Sequence, residues 1–135
     1  MKFPRLLPIA LAASSLTLLS PARAGDKVEK NIQVGNRVAA KWVDGKYYIG
    51  TVAHIATKVQ VDYDDGDKRK VPVADVFPIP KGATFQVGDH VLALWKKAAM
   101  YPGVISDVRA NECMVRWDDG DQPKLVNKSK MLHWP

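Results

Sequence analysis

The stretch Val61-Asp62-Tyr63-Asp64-Asp65-Gly66-Asp67 predicts the end of one β-strand, a tight turn and the start of the next strand. Asp-Gly is a strong signal for a short hairpin, because glycine adopts the positive φ that such a turn requires. The same stretch returns as Val115-Arg116-Trp117-Asp118-Asp119-Gly120-Asp121. In both copies one large aromatic residue directly precedes Asp-Asp-Gly-Asp, so this hairpin is a repeated feature of the chain.

The repetition extends well upstream of the turn. Residues 34–42, Val-Gly-Asn-Arg-Val-Ala-Ala-Lys-Trp, match residues 87–95, Val-Gly-Asp-His-Val-Leu-Ala-Leu-Trp, at a constant offset of 53. A Tyr-x-Gly segment recurs at the same offset (48–50 and 101–103), and the offset becomes 54 at the Asp-Asp-Gly turn. An internal duplication of this kind indicates two copies of one small fold, each of about 50 residues.

Residues 1–24 have the pattern of a secretory signal peptide: a basic start, an apolar run over 6–19, and Ser-Pro-Ala-Arg-Ala as a small-x-small cleavage site. The apolar run is shorter than the roughly 20 residues that span a bilayer, so we expect cleavage and no stable membrane insertion afterwards. Cleavage would remove three basic residues and no acid, which lowers the formal net charge from +6 to +3. The sequence therefore predicts a mildly basic protein that is periplasmic or secreted.

The remaining chain divides into a flexible lead-in (25–31) and two copies of the fold (32–80 and 81–135), joined by a short Pro-rich linker at 78–82. Each copy contains short runs of β-branched and aromatic residues that alternate with polar ones, which is typical of half-buried strands. No amphipathic helix of ten or more residues is apparent. The predicted strands are 37–43, 47–55, 58–63, 68–71 and 77–79 in the first copy, and 90–95, 101–109, 112–117, 123–126 and 131–133 in the second.

These features together resemble the Tudor and Agenet group of SH3-like barrels. The shared pattern is Val-Gly-x-x-Val-x-Ala-x-Trp, then an aromatic residue followed by x-Gly, then an aromatic residue followed by Asp-Asp-Gly. Both copies carry it, so the resemblance covers about residues 32–135. It implies an all-β protein with two small SH3-like, five-stranded barrels in tandem, whose edges are closed.

In that family, aromatic residues at these positions line an open cage that accepts methylated lysine or arginine. The resemblance implies the same role here for two sets of residues: Trp42, Tyr48 and Tyr63 with the acid Asp65, and Trp95, Tyr101 and Trp117 with the acid Asp119. A ring face attracts a quaternary ammonium by roughly 0.5–2 kcal/mol. The expected partner is a protein or peptide with a methylated side chain, or another quaternary-ammonium ligand such as a choline-type headgroup.

Two other functions are compatible with the same residues. The basic residues, interleaved with aromatics, could form a nucleic-acid-binding face. Alternatively, Trp42 and Trp95 could pack between the two copies of a structural scaffold. Tyr63 and Trp117, at a strand end beside an acidic turn, are expected to be exposed.

No catalytic or metal chemistry is predicted. The aspartates of the two turns lack the spacing of an EF-hand loop, and the three histidines have no spaced Cys or carboxylate partners. The single cysteine, Cys113, is expected to be a small strand residue. Ser106 and Ser129 lie in no nucleophile motif, so we expect a non-enzymatic binding protein without a cofactor.

Overall fold

The computed structural model describes residues 30–135, and within them it is built of antiparallel strands. The predicted all-β fold is confirmed, and every strand begins and ends within two residues of its predicted bounds. The predicted signal peptide and most of the lead-in lie outside the described residues. The strands are β1 Arg37–Lys41, β2 Tyr47–Ile55, β3 Val59–Tyr63, β4 Lys68–Val71, β5 Val76–Pro78, β6 His90–Lys96, β7 Ala99–Val108, β8 Glu112–Trp117, β9 Lys124–Asn127 and β10 Met131–His133.

Short 3₁₀ turns precede the last strand of each copy, at Val73–Asp75 and Lys128–Lys130. In the part of the chain that the structure describes, no helix has the length and apolar character needed to cross a membrane.

The two copies, here called the first half (30–80) and the second half (81–135), have the same strand order. It is β5-β1-β2-β3-β4 in the first half and β10-β6-β7-β8-β9 in the second. The halves are joined edge to edge, because β2 also pairs with β7, so all ten strands belong to one sheet.

The β2–β7 pairing relates the halves by a pseudo-two-fold axis. Tyr47 lies opposite Met100, and Tyr48 lies opposite Ala99. Tyr47 and Met100 occupy equivalent positions of the repeat, 53 residues apart. Antiparallel pairing of a position with its own equivalent is what a two-fold axis produces, as at the interface of a symmetric dimer. The halves are therefore packed as an internal dimer.

Each half has its own hydrophobic core, and a third cluster lies between the halves. The alternation of side chains along β1 assigns its residues to different layers: Val38 and Ala40 belong to the first-half core, whereas Ala39 belongs to the shared cluster. Cys113 is buried in the second-half core, where burial raises the pKa of its thiol. The shared cluster consists of Ala39, Ile49, Ile79, Leu92, Ala98, Met100 and Leu132.

The repeated glycine of the Tyr-x-Gly segment brings neighbouring strands close together. Gly50 in β2 lies opposite Tyr63 in β3, and a Cβ at Gly50 would approach the Asp62 carbonyl oxygen to 2.7 Å. Gly103 stands in the same relation to Trp117, and its Cβ would approach the Arg116 carbonyl oxygen to 2.6 Å. Because no side chain fits there, each glycine permits the close spacing between its own strand and the strand that carries the aromatic residue of the Asp-Asp-Gly turn.

Candidate functional site

Three aromatic residues of the first half come together in space; they are called the first-half triad. Trp42 follows β1, Tyr48 lies in β2 and Tyr63 ends β3. The ring centroids of Trp42 and Tyr63 are 5.3 Å apart, those of Tyr48 and Tyr63 6.3 Å, and those of Trp42 and Tyr48 6.5 Å. The interplanar angles are 87°, 89° and 70°, so the three ring planes are nearly perpendicular to one another.

Hydrogen bonds hold two of these rings in place. The Tyr63 hydroxyl donates to the Lys41 carbonyl oxygen at 3.1 Å, an oxygen that also accepts from Arg69 at 2.8 Å. The Tyr48 hydroxyl donates to the Asp44 carboxylate at 2.8 Å. Both hydroxyls are thus engaged within the protein, and the half-buried rings of Trp42 and Tyr48 are the part of the triad that a ligand would meet.

The expected exposure of Tyr63 and Trp117 is wrong. Only 4% of Tyr63 and 5% of Trp117 are exposed, because each belongs to the hydrophobic core of its own half. A ring at the end of a strand packs inwards here because the strand pleat, rather than proximity to the acidic turn, sets the face on which it lies. Trp42 and Tyr48 are half-buried.

Two carboxylates influence the ionisation of the two tyrosines of the triad. Asp65, the predicted acid, and Asp44, which lies in the turn between β1 and β2, both raise the pKa values of Tyr48 and Tyr63. The hydrogen bond to Asp44 is the main cause that raises the pKa of Tyr48 to about 12. Burial is the main cause that raises the pKa of Tyr63 to about 12, against the opposing effect of Arg69.

The Asp44 carboxylate remains anionic at neutral pH. Burial by itself would raise its pKa, but hydrogen bonds from the Lys46 amide, at 2.8 Å, and from the Tyr48 hydroxyl lower it. The signal that could have revealed this acid was its spacing of four residues from Tyr48, across a tight turn.

The second half does not reproduce the triad. The Trp95 and Tyr101 centroids are 5.3 Å apart, but their planes are tilted by only 36°. Trp95 lies where the register between β6 and β7 shifts, between Leu94 and Lys96. Such an irregularity redirects a side chain, whereas Trp42 precedes a regular three-residue turn closed by Lys46. Among the ring pairs of residues 30–135, none joins Trp117 to Trp95 or Tyr101.

Trp117 lies in the second-half core, and its indole Nε1 has no hydrogen-bond partner among the described residues. The predicted acid Asp119 lines a cleft of about 360 Å³ together with Tyr101, Pro102 and Asp118. Of the predicted second-half residues, Tyr101 thus lies near both Trp95 and Asp119. Trp117 is buried in the core against which Trp95 and Tyr101 pack.

A match to a family model shows the family of this chain. Residues 35–132 match the model described as a domain of unknown function, DUF4537. The chain belongs to the DUF4537 family. The match extends from the first turn to β10, so both halves are parts of one DUF4537 domain. A comparison with curated proteins finds no match.

Three solved structures are similar to this DUF4537 domain, each covering 76% of the chain. Tandem Agenet domain 3-4 of ADCP1 is 15% identical, with a TM-score of 0.47 and 80% of its chain covered. AGD34 of AGDP1 from Arabidopsis thaliana is 15% identical, with a TM-score of 0.49 and 82% covered. The SHH1 SAWADEE domain, in complex with an H3K9me3 peptide, is 16% identical, with a TM-score of 0.44 and 100% covered. All three TM-scores are below 0.5.

Lysine side chains distinguish the two aromatic sites of the DUF4537 domain. In the second half, Lys96 Nζ lies 4.3 Å from the Trp95 centroid and Lys46 Nζ lies 5.6 Å from the Tyr101 centroid. Within residues 30–135, no lysine lies over a ring of the first-half triad. The repeat also places Lys97 at the position equivalent to Asp44.

A further aromatic group, which sequence reasoning missed, lies where the halves meet. Tyr47, Phe77 and Trp134 form the seam cluster, with centroids 5.0–5.7 Å apart and planes at 64–79°. All three pack against the shared core cluster. The sequence signal for Tyr47 was its alternation with Tyr48, which requires the two rings to face opposite sides of β2. Nothing local connects Trp134 to them.

The described residues contain no cluster of three or more His, Cys, Asp or Glu side chains that could hold a metal ion. The acidic side chains of the Asp-Asp-Gly turns are engaged otherwise: Asp64 forms a bidentate pair with Arg37 at 2.8 and 2.6 Å, and Asp118 accepts from His90 at 2.8 Å.

Proposed function

We propose that this DUF4537 chain is a non-enzymatic, exported binding module. Its first-half triad recognises a methylated side chain, or another quaternary-ammonium group, on a protein or small-molecule partner. One observation carries the proposal: three nearly perpendicular ring planes with two carboxylates beside them, and no described lysine over any of the rings.

The arrangement suits a cation without N–H groups. An ammonium would contact the half-buried rings of Trp42 and Tyr48, which Tyr63 supports from the core, and each good contact is worth roughly 0.5–2 kcal/mol. Because the hydroxyls of Tyr48 and Tyr63 already donate within the protein, the ring surfaces offer few free polar atoms. A quaternary ammonium loses nothing by this, since it has no hydrogen to donate.

The charges near the rings favour binding of a cation at the first-half triad over binding at the second-half rings. Asp44 and Asp65 supply negative potential at the first-half triad. In the second half Lys46 and Lys96 already lie over the rings, and Lys97 replaces the equivalent acid. A ligand cation would be repelled there, so the proposed module has one working site.

Export is the part of this proposal that depends on residues 1–24, which lie outside the described residues. The signal-peptide pattern supports a periplasmic or secreted location. Mass determination of the protein recovered from outside the cytoplasm tests it, because cleavage after Ala24 leaves a chain that begins at Gly25.

The test of the binding site compares two equivalent tryptophans. We would titrate the protein with trimethyl-lysine amide, choline and unmethylated lysine amide, and measure each affinity by isothermal titration calorimetry, which does not require Trp42 itself. Trp95→Ala should bind the two quaternary ligands as the wild type does, whereas Trp42→Ala should weaken them at least tenfold. Because Trp42 packs on the first-half core, Trp42→Phe serves as the second variant: it retains a ring and should restore part of the binding. Equal binding by Trp42→Ala and the wild type would overturn the proposal.

One observation favours nucleic acid as a second candidate ligand. A cleft of about 920 Å³ is lined by Arg37, Lys81 and Lys128 and by no acidic residue. It also has no aromatic side chain on which a base could stack, so it would bind a phosphate backbone only. Affinity for a short duplex should then fall steeply with added salt, and a flat salt response would exclude this candidate.

The scaffold alternative required Trp42 and Trp95 to pack between the halves. Instead, Trp42 packs on the first-half core and Trp95 on the second-half core. Packing between the halves is provided by the seam cluster, so the two tryptophans are not needed for it.

A further inference from the structure

The seam cluster already holds an ammonium group, that of Lys30. Lys30 Nζ lies 3.7 Å from the Phe77 centroid and donates to the carbonyl oxygens of Val73 and Ala74 at 3.0 and 2.9 Å. These carbonyls belong to the 3₁₀ turn that leads into β5, and Asp75 of the same turn adds favourable charge. One ammonium is thus bound by a ring face, two backbone acceptors and a nearby carboxylate.

These features are not a general consequence of the fold, because the second half lacks them. Phe77 pairs with Ala39 in β1, and Leu132 occupies the equivalent register opposite Leu92 in β6. The second-half 3₁₀ turn contains Lys128 and Lys130 and no acid. The ring and the carboxylate occur only in the half where Lys30 docks.

The seam cluster differs from the first-half triad in the cation it favours. At the triad both tyrosine hydroxyls are engaged, and the neighbouring groups are rings and carboxylates. At the seam, two carbonyl oxygens each accept an N–H from the same ammonium. A trimethylated nitrogen has no N–H, and it would leave both acceptors without a partner.

We propose that the seam cluster and the carbonyls of Val73 and Ala74 form a second ammonium site, which binds an unmethylated lysine side chain of a protein partner. Lys30 is its intramolecular occupant and must be displaced for the partner to bind. A tethered occupant is present at a high effective concentration, so the wild-type protein binds a free lysine ligand weakly. The proposal is independent of the function of the first-half triad.

The experiment removes the occupant and keeps its aliphatic stem. Lys30→Met is compared with Lys58→Met, a matched change at an exposed turn lysine. The probes are Nα-acetyl-lysine methylamide and its Nζ-trimethyl derivative, and the readout is the Trp134 indole N–H resonance. In Lys30→Met we expect the unmethylated probe to shift this resonance with an affinity at least tenfold higher than in the wild type or Lys58→Met. The trimethyl probe should give a response at least tenfold weaker than the unmethylated one.

Phe77→Leu in the Lys30→Met background reproduces the second-half residue and should abolish the response. Equal responses of Lys30→Met and the wild type, or of the two probes, would overturn the proposal. If Lys30→Met does not fold, the wild-type protein provides the test. Excess unmethylated probe should displace Lys30 and shift the Trp134 indole N–H resonance. The absence of a shift at saturating probe concentration would contradict the proposed site. Failure of the first-half triad would instead be seen as an unchanged affinity of Trp42→Ala for trimethyl-lysine amide.

Discussion

The Tyr48 hydroxyl donates a 2.8 Å hydrogen bond to Asp44, the acid of the β1–β2 turn. At the equivalent positions of the second half, Tyr101 has Lys97 in place of this acid. The duplicated fold therefore retains the tyrosine but not its acidic partner. Together with Lys46 and Lys96, whose ammonium groups lie over Tyr101 and Trp95, this exchange distinguishes the electrostatics of the two aromatic sites.

Replacing Asp44 should weaken binding of a quaternary ammonium in proportion to the charge change. Asp44→Asn should reduce affinity for trimethyl-lysine amide about fivefold, since an ion pair near a protein surface is worth on the order of 1 kcal/mol. Asp44→Lys, which copies the second half, should abolish measurable binding. Asp107→Asn is the control, because this exposed acid pairs with Arg109 in the second half. Isothermal titration calorimetry measures all three; unchanged affinity in Asp44→Lys would contradict the electrostatic role.

The ionisation of the two triad tyrosines should respond differently to the same substitution. Both have pKa values of about 12, but the hydrogen bond to Asp44 is the main cause only for Tyr48. Asp44→Asn should move the pKa of Tyr48 towards its ordinary value and change that of Tyr63 little. A titration of the tyrosine Cζ resonances by NMR measures both, and equal changes at the two rings would show that the hydrogen bond is not the cause.

Adding a methyl group at either repeated glycine should destabilise the fold. Gly50→Ala would place Cβ 2.7 Å from the Asp62 carbonyl oxygen, and Gly103→Ala 2.6 Å from that of Arg116. Because these are backbone atoms within a strand ladder, relief requires the strands to separate, at a cost of about 1–3 kcal/mol. Urea denaturation measures the free energy of unfolding, with Thr57→Ala in an exposed turn as the control. A loss below about 0.5 kcal/mol would mean that the strands move apart easily.

The pair His90–Asp118 should make stability depend on pH. His90 replaces Arg37 of the first half, and the hydrogen bond to Asp118 at 2.8 Å is the main cause that raises the pKa of His90. A group whose pKa is higher in the folded state contributes stability that is fully present below its unfolded pKa of about 6.5. That contribution is lost as pH rises through the folded-state pKa.

Accordingly, the wild type should be more stable at pH 6 than at pH 8.5, by less than about 1 kcal/mol because the pair is partly exposed to solvent. His90→Arg should remove this difference and raise stability at pH 8.5, since arginine stays charged throughout. His54→Gln, in an exposed position of β2, should retain the difference. A pH dependence that survives in His90→Arg would assign it to another group.

Several features of the candidate site could not be predicted from local sequence. Tyr63 and Trp117 were expected to be exposed beside acidic turns, yet both pack in cores, because the strand pleat and its register determine which face a residue occupies. Trp95 occupies the position of the repeat that is equivalent to Trp42, but a register irregularity between Leu94 and Lys96 redirects its side chain. The seam cluster brings Tyr47 and Trp134 together across 87 positions of sequence, a distance over which no residue pattern is informative.

The sequence by itself determined the duplication, the all-β class and the strand bounds to within two residues. These follow from turn chemistry and from the alternation of apolar residues, which act over a few neighbouring residues. Tertiary structure decided the pseudo-two-fold pairing of Tyr47 with Met100, the difference between the two aromatic sites and the docking of Lys30. Each of these depends on which distant surfaces pack together, and that is fixed by the burial of the shared core cluster rather than by any local preference.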